Sequence, residues 1–268
     1  MIREPAVAGR FYSANPQVLR EELQEFLRSE DPRRESVIGV VSPHAGYMYS
    51  GHVAGAVFSR VQIPKKLLVL CPNHTGEGAY AAINSQGSWR TPLGEAQIDS
   101  ALARRLMELD PMLEEDSSAH RREHALEVQL PFLQVLRKDF EFVPLCLSHF
   151  RYSDCEALGK AMARLIRESG EEVLMVASSD MNHYESQDRT LAKDQVAIDC
   201  ILALDPKGLY QRVHEQNISM CGIIPTTCML IAALELGARE AELVRHATSG
   251  DVSGDYSGVV GYAGILVK

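Results

Sequence analysis

Short apolar runs alternate with amphipathic stretches along most of the chain. Five runs read as strands: Val37–Val41, Leu67–Cys71, Phe140–Leu145, Val173–Ala177 and the closing segment 258–267. Between them, apolar residues recur at helical spacing over 16–28, 51–61, 99–109, 124–138, 154–168, 188–204 and 222–236, as with Leu19, Leu23 and Leu27. Strands that are apolar throughout, separated by helices, predict an α/β fold with a mostly parallel central sheet and helices on both faces. Residues 85–99 break the rhythm. Thr91-Pro92-Leu93-Gly94 sits between two short alternating runs and predicts a β-hairpin inserted into that frame. No repeat or flexible linker interrupts the pattern, and the longest polar stretch, 28–36, reads as a helix end and loop. A single three-layer domain over 1–268 is therefore expected.

Composition narrows the function classes. The chain is 46% hydrophobic and 24% charged, as in ordinary folded domains, and its net charge of −9 argues against a nucleic-acid backbone as partner. The Arg121-Arg122 pair suggests no basic patch. Six cysteines form no C-x-x-C pair, and several sit inside apolar runs, as expected in a reducing compartment. No apolar segment approaches a membrane span and the N-terminus lacks a secretory pattern, so a cytoplasmic protein is expected.

In an open α/β sheet, ligands gather beyond the carboxyl ends of the strands. Three strands end within a few residues of a histidine: Ser42-Pro43-His44, Pro72-Asn73-His74 and Ser178-Ser179-Asp180-Met181-Asn182-His183. Imidazole is a metal ligand and a general base near neutral pH, so a metal or acid–base centre is expected there. In Glu123-His124-Ala125-Leu126-Glu127, His124 and Glu127 at i and i+3 either share one face of a helix start or form a capping acid beside a solvated histidine. Cys221, just before Gly222 and an apolar helix, is placed where a helix N-terminus favours thiolate. Cys71, Cys200 and Cys228 read as core.

The segments PAVAGRFY, SPHAGYMYSGHVA, CPNHTG, RTPLGEAQID, EHALEVQLPF, SSDMNHY and MCGIIP, taken in order, resemble the Memo family, which is similar in fold to the class III extradiol dioxygenases. The resemblance implies metal ligands at His44, His74 and Cys221, with Asp180, His183 and His124 lining the same pocket as catalytic residues. Those dioxygenases hold iron with two histidines and a glutamate. Here Cys221 takes the third position, a softer set that shifts preference toward copper(I), zinc or thiolate-tolerant iron. The expected function is a metal-dependent oxidoreductase using iron or copper, zinc being the further option, on an unidentified small molecule. The alternative is a non-enzymatic module taking a peptide or phosphopeptide in the same cleft, and a zinc hydrolase also fits the ligands. The resemblance further implies association with a radical-SAM protein.

Overall fold

The computed structural model describes residues 1–29 and 33–268, so part of the polar stretch 28–36 lies outside the described residues. Among the described residues, twelve strands form one mixed sheet: β1 (Ile2–Arg3), β2 (Gly39–Ser42), β3 (Lys66–Pro72), β4 (Ala81–Ile83), β5 (Ser88–Thr91), β6 (Gly94–Ile98), β7 (Glu114–Glu115), β8 (Glu141–Leu147), β9 (Val173–Ser178), β10 (His183–Glu185), β11 (Ala241–Thr248) and β12 (Val259–Val267). The helices are α1 (Pro16–Phe26), α2 (Tyr47–Ser59), α3 (Ser100–Leu109), α4 (Ser118–Arg121), α5 (Leu130–Leu136), α6 (Tyr152–Ser169), α7 (Gln187–Leu202), α8 (Pro206–Glu215), α9 (Ile223–Glu235) and α10 (Gly250–Ser253).

The central strands run β8-β3-β9-β2-β12. The first four are mutually parallel and β12 is antiparallel to β2. Their continuous apolar character has a simple cause. In β3, Leu68 and Leu70 face the core beneath α3, α6, α7, α8 and α9, while Leu67, Val69 and Cys71 face the core beneath α1, α2 and α5. A strand covered on both faces has no polar side to present.

Local signals set the element ends. Asn15 caps α1 through Gln17 N and Val18 N, Pro16 opens that helix, and Leu19 and Leu23 are its buried stripe. The β5–β6 hairpin closes with Thr91 opposite Gly94, as the sequence predicts, and it buries Trp89. One helix is shorter than its periodicity suggests. Residues 124–126 of the expected helix 124–138 are not helical; a single 3₁₀ turn spans Glu127–Gln129 before α5. Among the described residues, no helix is long and apolar enough to cross a membrane.

Candidate metal centre

The sheet order explains why three loops meet. β9 lies between β3 and β2, all parallel, so the segments leaving their carboxyl ends emerge side by side about one strand spacing apart. These segments carry His74, Asp180 and His44. Cys221 arrives from one of the helical layers, at the start of α9. Its backbone comes so close to the end of β9 that a Cβ on Gly222 would overlap Ser179 and the Ser178 carbonyl, so only glycine fits there.

One ligand atom each from His44, His74 and Cys221 lies within 4.8 Å of the others, a group that could hold a metal ion. Cys221 Sγ is 3.1 Å from His44 Nε2. Hydrogen bonding fixes both imidazoles. The Ser178 hydroxyl gives its one proton to the Ala125 carbonyl at 2.6 Å, so it accepts from His44 Nδ1 at 2.9 Å and from Gln129 Nε2 at 2.8 Å. His44 therefore carries its proton on Nδ1 and turns the lone pair of Nε2 toward Cys221. His74 Nδ1 donates to Glu123 Oε1 at 2.9 Å, which leaves its Nε2 free in the same way. Such outer partners are what orient metal-binding histidines. His44 is buried, whereas His74 and Cys221 are partly exposed, so the group is open on one side.

The electrostatics follow burial. Desolvation, with the neighbouring His74, His124 and His183, holds His44 well below the ordinary imidazole range. Burial also opposes charge on His74, but the Glu123 hydrogen bond and the charges of Glu123 and Asp180 outweigh it and raise His74. Asp180 is raised to about 6 by burial, despite its acceptance of the His44 backbone N–H at 2.7 Å. Burial and the Asp180 charge push the Cys221 thiol up, which reverses the thiolate bias expected from its helix-start position. A bound cation would displace that proton, since metals compete with protons for thiolate.

A family model described as Memo-like protein matches residues 3–266. The chain belongs to the Memo-like family. It is 42% identical to a MEMO1 family protein of Methanopyrus kandleri, over 100% of this chain and 99% of that protein. It is 41% identical to another from Sulfolobus acidocaldarius, over 99% of each. An uncharacterized Escherichia coli K12 protein of known structure shares the fold, with a TM-score of 0.54 at 13% identity, over 85% of this chain and 98% of that one.

The pocket of this Memo-like chain keeps most of the expected residues together. His124 stacks on His74 with ring centroids 4.8 Å apart and meets His44 edge-on at 5.5 Å. It belongs to an adjoining group with His74 and Glu123. Burial pushes it down to about 4. His183 is half-buried, with Nδ1 donating to the Ser219 carbonyl at 2.9 Å and its own N–H to Ser219 Oγ at 2.7 Å. Its Nε2 is the ring nitrogen not engaged by Ser219.

Glu127 is the exception to the shared-face reading of His124 and Glu127. It turns away from the centre and accepts from Arg3, Ala6 N, Val7 N and Tyr12 Oη, pinning the N-terminal segment. Glu123 has the role at the site. Fully buried, it accepts from His74 N at 2.6 Å and Ala125 N at 2.9 Å as well as from His74 Nδ1. In the sequence the i and i+3 spacing from His124 points to Glu127, and nothing in the pattern marks Glu123.

Proposed function

We propose that this Memo-like protein is a metal-dependent oxidoreductase, with His44, His74 and Cys221 holding iron or copper and a small molecule as substrate. The convergence of three donor atoms within 4.8 Å supports this most, because both imidazoles are also locked with Nδ1 outward and Nε2 inward. Two imidazoles and a thiolate suit copper, zinc or thiolate-tolerant iron. The redox-active members of that set would supply electron exchange with a substrate at the open side.

The chain's own residues divide the remaining work. His183 presents a free Nε2 and has its other nitrogen tied to Ser219, the arrangement of a proton carrier. Asp180 positions the ligands: its carboxylate accepts the His44 backbone N–H and its own N–H reaches Cys221 Sγ at 3.3 Å. His124, held down to about 4, stays neutral and forms a polar wall rather than a strong base.

The test compares bound metal per chain and metal-dependent oxygen consumption in the native protein, Cys221→Ser and His183→Gln. Cys221→Ser should lose metal. His183→Gln should keep it and lose roughly 10²–10⁴ in rate. Equal loss of metal in both variants would make His183 a ligand. Visible absorption of the loaded protein separates iron or copper thiolate from zinc. If neither variant alters any metal-dependent reaction while both abolish peptide binding, the centre is a binding module instead.

A further inference from the structure

The Arg121-Arg122 pair suggested nothing in the sequence, but the fold gives it a setting. A cavity of about 880 Å³ lies between the N-terminal residues and the segment 115–124. Its walls combine apolar surface, Ile2 and Phe11 among others, with four arginines and two glutamates. That excess of positive charge stands on a chain whose net charge is −9.

The individual pairings show which cations are uncommitted. Arg3 is matched by Glu127 at 2.5 Å. Arg121 and Arg122 share the single carboxylate of Glu77. Arg10 makes no ion pair and no side-chain hydrogen bond among the described residues. The two acids in the wall are engaged: Glu4 accepts from Arg90 Nη1 at 2.6 Å, and Glu115 accepts from Ser85 N at 2.9 Å.

The cavity adjoins the metal centre at one end. His124 is part of its lining, the Phe11 ring packs 4.8 Å from the His124 ring, and Arg10 stands close enough for its charge to act on His124. Glu127 fixes this geometry by holding Ala6, Val7 and Tyr12, the residues that flank Arg10 and Phe11. A free guanidinium beside an aromatic wall, in a cavity of ligand size, is suited to a planar or tetrahedral anion carried on an apolar body.

We infer that this cavity binds an organic anion, a carboxylate or phosphoryl group on an apolar body, with its charged group on Arg10 at the end of the cavity beside His124. The inference rests on the metal-centre reading only in making that anion the centre's substrate; anion binding stands without it.

Calorimetric titration of the full chain, both metal-stripped and metal-loaded, tests the proposal with benzoate, phenyl phosphate, inorganic phosphate and neutral benzamide as probes. At least one of benzoate and phenyl phosphate should bind about tenfold more tightly than benzamide, and Arg10→Gln should remove about that factor. Glu77→Gln, which frees two guanidiniums, should tighten anion binding roughly two- to fivefold. Preference for phenyl phosphate over benzoate would assign the phosphoryl group, and the reverse the carboxylate. Equal binding of benzamide, an Arg10→Gln variant that binds like the native chain, or inorganic phosphate binding as tightly as phenyl phosphate would overturn the proposal. A chain that takes up no metal yet keeps the anion discrimination would sink only the metal reading.

Discussion

Replacing Glu123 with glutamine tests the wiring behind the candidate centre. The carboxylate is fully buried and takes three N–H donors: Oε1 receives His74 Nδ1 and Ala125 N, each at 2.9 Å, and Oε2 receives His74 N at 2.6 Å. An amide offers one oxygen and one NH₂ group. If its oxygen takes the Oε1 position, the NH₂ faces the His74 backbone N–H, donor against donor. If it is flipped, the NH₂ faces Ala125 N–H and His74 Nδ1, and the ring relieves the conflict by moving its proton to Nε2, the atom a metal would need. Each orientation loses at least one charge-assisted hydrogen bond, about 1.5–3 kcal/mol of stability. Metal affinity should fall roughly 10- to 100-fold, as for other groups that orient a ligating histidine. Equilibrium metal occupancy against a graded chelator measures the second effect and urea unfolding the first. Glu127→Gln is the control, because Glu127 is equally buried but serves the N-terminal segment. It should lose comparable stability and keep metal affinity within about twofold. Native affinity in Glu123→Gln, or an equal loss in Glu127→Gln, would refute the reasoning.

Two further outcomes follow from particular contacts. Gly222→Ala drives a Cβ into Ser179 and the Ser178 carbonyl, so it should cost about 1–3 kcal/mol in urea unfolding and displace Cys221 enough to lower metal occupancy. His120 is fully buried with neither ring nitrogen hydrogen-bonded, and burial, with the Arg3 charge, pushes it down to about 3. Since an unfolded histidine titrates near 6.5, its contribution is complete above that pH and is lost as pH falls toward about 3. Between pH 7 and 4.5 the native chain should lose about 2–3 kcal/mol that His120→Leu does not lose, as read from urea unfolding at the two values.

The histidines at the strand ends were legible because apolar runs mark strands and the residues after them mark one edge of a parallel sheet. That β9 would fall between β3 and β2, bringing the His74, Asp180 and His44 segments together, was not legible, since strand order depends on which helices cross which face. β11 was missed for a different reason: AELVRHAT is mostly half-exposed, and its apolar positions are too diluted to stand out. Residues 124–126 carry helical spacing but are held out of helix beside Glu123, which gathers three N–H groups, an arrangement that no periodicity reports. Ser178 gave no signal at all. A serine ending a strand is common, and its importance lies in where its one proton goes.

His44 and Cys221 are 177 residues apart in the chain, one following a central strand and the other opening a helix that packs over that sheet. An ion shared by them and His74 would act as a reversible cross-link, tying an early loop to a late helix across most of the molecule. Ligation that exists only in the native state adds about 4 kcal/mol when free metal exceeds the dissociation constant a thousandfold. The supply of metal would then set how long each copy of the chain survives proteolysis, and so its abundance, independently of any reaction at the centre.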